Sequence, residues 1–461
     1  MNVRRYLVVV LLLVMGLLVA NCSTGAAVDT AGDAPAADAP AADTASDEEA
    51  VTLTWWLESG TPQEWWEEHL IVPFEEANPG INIEAQVQEN IQDVLRTAIL
   101  GGEAPDILTT FSPGWNAPYI EAGHMAPLDS FADEWGWEEK LQTWAFEAGR
   151  VGGDLYSIPL SYESIVILYN KTLFDEMGWE PPTNLAELEA LAAAAQEEGI
   201  HPFSYGSKDA FWNNGHLITG YINNAMMLED LKAMLEGEKP WTDPEMADAI
   251  ALFNRHIVDE AWWSGGLENY NQYEAADFYG ELANRDAAMV MVGTWAFESI
   301  GEYFVETDDE WDWFPIPTMI EGQDYNYALG IGASLAINSA SDSVEEAALF
   351  FDFLISDPER VVTMSAAGNY SLLVPVRLTL DDFPEDIDPR IGRFHADFAD
   401  VTTAGRYGYT NYTFWPAAAN NHLRQEIEGV WEGLFSIDEY LQQHQGIWDE
   451  LRSNNETIPI P

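Results

Sequence analysis

The chain has 461 residues, 47% of them apolar, so it can bury a sizeable core and is long enough for two or three domains. It carries 79 Asp and Glu against 18 Lys and Arg, a net charge of −61, which repels phosphate backbones and anionic headgroups and excludes a nucleic-acid role. Cys22 is the only cysteine, which excludes an internal disulfide and a multi-cysteine metal site.

The chain opens with Arg4 and Arg5, followed by the uncharged apolar stretch Tyr6 to Ala20. That stretch is short for a membrane-spanning helix and suits the core of a signal peptide, so residues 1–21 are expected to be a leader. The following Val19-Ala20-Asn21-Cys22-Ser23 resembles the bacterial lipobox, although Asn21 stands where that motif has a small residue. The resemblance implies a lipid anchor on Cys22 and hence an exported protein tethered to the outer face of the cell membrane or in the periplasm. From Ser23 to Ala50 the chain is mostly Ala, Asp, Pro, Thr, Ser, Gly and Glu, and lacks aromatic and large aliphatic residues apart from Val28. Such a segment buries too little surface to offset its chain entropy, so residues 22–50 are expected to be a disordered linker. The heavy acidity also fits salty surroundings, where self-repulsion is screened.

At Val51 the pattern changes. Val51 to Leu57 is β-branched and aromatic and reads as a buried strand. Thr61-Pro62-Gln63-Glu64 has the spacing of a capping box, opening a helix that Asn78-Pro79-Gly80 ends. A second strand over Ile81 to Val87, a second helix over Ile91 to Leu100 and a third strand from Pro105 give the order β-α-β-α-β, which predicts an α/β sheet with helices on its faces. Further on, a strand is expected over Ile165 to Tyr169 and a helix over Asn184 to Glu198. Another helix should open at Asp243-Pro244-Glu245, a strand should cover Ala287 to Val292, and a capping box at Ser343 should open a helix through about Ile355. From Trp415 onward the chain reads as mostly helical. Ligands of open α/β sheets sit beyond the carboxyl ends of the strands. The residues there include Trp56 and Glu58 after the first strand, Phe111 and Trp115 after the third, and Trp295 after the Ala287 strand.

Read in order, these segments resemble the family 1 extracellular solute-binding proteins, the maltose-binding-protein-like group. The matching pieces are Phe74 to Ile81, then Gly101-Gly102 with Pro105-Asp106-Ile107, then Tyr156 to Pro159 with Ile167 to Lys171. They continue with Gly178 and Pro181 to Thr183, Ala287 to Met289 with Gly293-Thr294-Trp295, and Ile331 to Ile337 with Ala347 to Leu354. The resemblance implies a two-lobed periplasmic-binding-protein-like fold with discontinuous lobes and a three-segment hinge. By that analogy lobe one is 51–161 plus 327–360, lobe two is 162–326 plus 361–450, and 451–461 is a tail. It further implies that a sugar or oligosaccharide binds between the lobes, and that the closed form delivers it to the permease subunits of an ATP-binding-cassette importer.

A sugar needs flat aromatics for its C–H faces and carboxylates or amides for its hydroxyl rim. Three residues fall on positions that bind sugar in the maltose-type proteins: Trp295, Glu163 in Pro159 to Glu163, and Trp415 in Phe414-Trp415-Pro416. Further candidates are Glu58 as a hydroxyl acceptor, Phe111 and Trp115 as a wall, and Trp212 with Asn213 as a ring beside an amide. Tyr270, Tyr273 and Tyr370 follow behind them. Glu58-Ser59-Gly60 departs from the maltose-type pattern, so the identity of the sugar stays open. The motifs of zinc proteases, serine hydrolases and phosphate-binding loops are missing. Gly330-Ile331-Gly332 lacks the third glycine of a dinucleotide site and reads as close backbone packing. The expectation is a monomeric binding protein without enzymatic activity, metal or cofactor. Uptake of a non-sugar solute, or ligand sensing for a membrane receptor, stands as the alternative.

Overall fold

The computed structural model describes residues 50–461 except 60, 209–212, 367–373, 386, 455, 459 and 461, and except the side chain of Glu298. The expected leader, Cys22, almost all of the linker, Trp212 and Tyr370 lie outside the described residues.

Three strands of the first sheet follow the β-α-β-α-β reading. Val51–Glu58 pairs in parallel with Ile81–Gln88 on one side and with Ile107–Thr110 on the other. Ser334–Ile337 and Ser157–Pro159 complete five strands, with Ser334–Ile337 antiparallel to both neighbours. Alternation along Val51–Glu58 sends Leu53, Trp55 and Leu57 into the main core with Trp66, Phe74 and Phe350. Its opposite face sends Trp56 against a smaller core of Ile91, Leu95, Ile99 and Tyr119, where Phe111 and Trp115 also pack. The first helix starts at Gln63 and opens into a π turn over Glu67–Ile71 before resuming at Val72–Ala77. Pro73 explains the opening. It has no N–H for the carbonyl of His69, and its ring would collide with that carbonyl in a regular ladder.

The second sheet has the order Trp311–Pro315, Ile165–Asn170, Ala287–Gly293, His201–Phe203. Its two central strands are buried at every position, which is why they read as unbroken apolar runs. Asn184 caps the helix Leu185–Glu197, and Asp243 caps Pro244–Asn254, which runs on as a π turn to Asp259. The helix Val344–Ile355 forms as expected, but Ser343 makes no side-chain cap bond. The closing helices Ala417–Gln425, Ile427–Trp431 and Ile437–Ser453 form a layer that packs through its outer two members against Asn213–Ala225 and Pro244–Asn254.

A third sheet joins the other two. It orders Tyr407–Tyr409, Tyr327–Ile331 and Tyr162–Glu163. The chain leaves the first sheet at Ser157–Pro159, pairs at Tyr162–Glu163, and enters the second at Ile165–Asn170. It returns through Tyr327–Ile331 into Ser334–Ile337, so the expected single return strand is two strands broken at Gly332-Ala333. The two passes are stitched together: Leu160 N–H donates to the Ala333 carbonyl (2.8 Å), and Ala333 N–H donates to Ser161 Oγ (3.0 Å). The expected division at 360 falls within the helix Pro358–Ala366, and the last helix runs past 450 to Ser453.

Candidate functional site

Glu163 sits where the chain passes between the sheets. Its neighbour Tyr162 points into the core, against Phe398 (5.0 Å) and Trp144 (5.7 Å). Strand alternation therefore turns Glu163 to the other side. It pairs across the ladder with Gly330. A Cβ on Gly330 would lie 2.0 Å from the Tyr412 hydroxyl and 2.9 Å from Glu163 Cγ, and one on Gly332 would lie 2.7 Å from Ser161 Oγ. The two glycines thus let side chains crowd the backbone, the close packing their sequence suggests.

Backbone bonds bring two aromatic residues to the same place. Thr294 N–H donates to the Ser164 carbonyl (2.9 Å), which ties the turn carrying Trp295 to the segment that follows Glu163, and the Trp295 ring lies 6.4 Å from that of Tyr412. Ile331 N–H donates to Thr413 Oγ1 (3.0 Å), which sets Tyr412 over Gly330. Trp295 is half-buried, and its ring folds back over Gly293, where a Cβ would lie 1.9 Å from it. His216, from the helix Asn213–Ala225, bridges the two rings, 5.3 Å from Trp295 and 4.8 Å from Tyr412.

The electrostatics of the two acids are linked. Glu163 retains some open surface, yet desolvation pushes its carboxyl up to about 7, with repulsion from Glu58 adding and the Tyr412 hydroxyl opposing. Glu58, at the end of Val51–Glu58, is open to solvent yet hemmed in by enough protein to raise its pKa. The Tyr412 hydroxyl is buried and faces Glu163, and burial together with that carboxylate holds its pKa well above the ordinary value. Burial, helped by Arg424, lowers His216 to about 3, so it is a neutral ring at pH 7.

The structure therefore brings Glu163, Trp295 and Glu58 together and adds Tyr412 and His216. Phe111 and Trp115 lie close by. The helix Pro113–Glu121, capped by Ser112 just after Phe111 and carrying Trp115, touches Asn411–Phe414, and both rings are half-buried, 5.9 Å apart. The Trp115 indole N–H has no partner. Three candidates are placed otherwise. Trp415 is 2% exposed, 5.8 Å from Trp241, and packs among the closing helices, so it presents no surface to the groove. In that segment it is Tyr412, three residues earlier, that faces Glu163. Asn213 is 2% exposed, and its amide donates to the Gly206 carbonyl (3.2 Å), which gives it a role in holding a loop. Tyr270 is likewise buried, beside Trp263 and Trp431.

Two concavities lie elsewhere. One of about 1040 Å³ runs along Pro181, Trp313 and Tyr325, and one of about 1000 Å³ along Lys171, Val305 and Arg390. Neither includes Glu163, Trp295 or Tyr412. Size alone does not outrank convergent rings and perturbed carboxylates as a sign of a site.

An α/β architecture with two principal sheets, joined by crossing strands that carry a groove of rings and acids, defines a two-lobed solute-binding protein. The model of the bacterial extracellular solute-binding proteins matches residues 56–361, and the chain belongs to that family. The multiple sugar-binding protein of Streptococcus mutans is 23% identical over 79% of this chain and 84% of its own length. Among solved structures, a chitin oligosaccharide binding protein superposes with a TM-score of 0.69 at 19% identity, covering 87% of this chain and 99% of its own. The binding protein RafE in complex with raffinose superposes with 0.64 at 20% identity, covering 86% and 100%. Among the described residues no helix is long and apolar enough to cross a membrane.

Proposed function

We propose that this protein binds a sugar or oligosaccharide in the groove at Glu163 and delivers it to the permease subunits of an ATP-binding-cassette importer, without turning it over. The observation that carries the reading is the convergence of half-buried Trp295 and Tyr412 on Glu163 and Glu58, beside the strands that join the two sheets. Rings of that kind stack on the C–H faces of a sugar, and carboxylates accept from its hydroxyls. The sugar-binding names of relatives support the same class of ligand. Phe111 and Trp115 form the opposing wall in this reading. Lobe one comprises 51–161 plus 327–360 and lobe two 162–326 plus 361–450, with the refinement that the helix Pro358–Ala366 stays whole. Acylation of Cys22 holds the protein at the outer face of the cell membrane, and residues 23–50 are the tether.

A thermal-shift screen against raffinose, maltotriose, chitotriose and xylotriose tests the function, because a ligand bound only by the folded state raises the melting temperature by mass action. At least one should stabilise the protein in a concentration-dependent way. Stabilisation by amino acids or peptides with none by any sugar would refute the reading.

A further inference from the structure

The chain ends by crossing from the helices of one sheet to a helix of the other. The last helix, Ile437–Ser453, packs on Ala417–Gln425, which packs on Asn213–Ala225, and that helix lies against the second-sheet strands Ile165–Asn170 and Ala287–Gly293. The helix Pro113–Glu121 belongs to the first sheet, where its Trp115 and Tyr119 pack with Leu108 and Ala336 of two strands. The C-terminal tail runs between the two. Glu456 N–H donates to the Leu451 carbonyl (2.8 Å), which keeps the start of the tail on the last helix. Two residues later Ile458 lies on Gly114, where a Cβ would come within 2.3 Å of Ile458 Cδ1 and 2.4 Å of its Cγ1. Ile460 then packs against the main core.

Gly114 stands in the first turn of its helix, where glycine is a poorer helix former than alanine. Its missing side chain is what admits the isoleucine. Two residues of extended chain span at most about 7 Å, so the tail has almost no slack. Parting the two sheets therefore pulls Ile458 off Gly114 or breaks the bond between Glu456 and Leu451. Asn411–Phe414 also touches Pro113–Glu121, but it follows a strand of the joining sheet and can move with the joint.

We propose that the stretch Glu456 to Ile458 is a strap between the two lobes: seated on Gly114, Ile458 holds them together, slows their opening and so retains a bound ligand. The strap follows from the two-lobed fold, and only its effect on sugar release rests on the sugar-binding reading.

Small-angle X-ray scattering of the purified, ligand-free protein tests it first. Ile458→Ser removes the anchor and Gly114→Ala fills its seat, and each should enlarge the radius of gyration relative to wild type. In stopped-flow tryptophan fluorescence, release of the tightest sugar from the thermal-shift screen should be about fivefold faster in both variants. Thermal unfolding establishes that each variant is folded; should Ile458→Ser not fold, Gly114→Ala, which places a better helix former in the helix, carries the test. Unchanged dimensions, or lost thermal stability with unchanged release, would overturn the strap. Enlarged dimensions in a protein that binds no sugar would support the strap and refute the sugar reading.

Discussion

At the scale of the residue, Trp295 and Glu163 do different work. Trp295 is held over Gly293 with part of its ring open, a geometry that offers a flat apolar face. Trp295→Ala should weaken sugar binding by about 1–3 kcal/mol, the range seen when aromatic stacking is removed from a ligand ring. Titration calorimetry checks it, and wild-type affinity in the variant would remove Trp295 from the site. Glu163 carries the electrostatic cost. Its carboxyl titrates near 7 when folded, above the ordinary 4.5, so the folded state holds an extra proton between those values. Its contribution to stability is therefore present below about 4.5 and is lost as pH rises through 7. Glu163→Gln abolishes that loss, so the variant should be more stable than wild type at pH 8, with the difference shrinking toward pH 5. Chemical denaturation at both pH values reads this, and a constant difference would contradict the assignment.

At the scale of the element, most helices and strands were legible because periodicity and turn chemistry are local. The runs at Val51, Ile165 and Ala287 and the caps Asn184 and Asp243 appear where their residues indicate. The departures come from context. The π turn before Pro73 answers a steric conflict, and the break at Gly332-Ala333 lets one strand serve the joining sheet and the next the first sheet. The last helix illustrates stability apart from function. Ser436 Oγ accepts from Glu439 N–H (3.2 Å), and the Glu439 carboxylate accepts from Ser436 N–H (2.8 Å). Ser436→Ala should cost about 1 kcal/mol of unfolding free energy. Sugar affinity should stay unchanged, since this cap makes no contact with Glu163, Trp295 or Tyr412. A drop in affinity comparable to Trp295→Ala would show that the closing helices shape the groove directly.

At the scale of the whole molecule, net charge governs the response to salt. A charge of −61 spread over one chain repels itself, and the Debye length falls from about 10 Å at 0.1 M salt to about 3 Å at 1 M. The melting temperature should rise between those salt concentrations by more than an osmotically matched sucrose control produces; a flat or falling response would contradict this. What the sequence by itself determined is the class of fold, the succession of elements and an acidic chain rich in aromatic rings, because these depend on short-range pattern and composition. Resemblance to a family singled out Glu163 and Trp295 as candidates. What only the tertiary structure decided is which ring faces which acid. Tyr412 and Trp415 lie on the same short turn, and nothing local distinguishes the one over Gly330 from the one packed on Trp241. That choice is made by a contact between a strand and a short helix more than 80 residues apart in sequence, the Thr413 hydroxyl accepting from Ile331 N–H, and by glycines whose missing side chains leave room for it. Long-range packing selects among side chains that local preference leaves equivalent, so the groove is a property of the folded chain and not of any one segment.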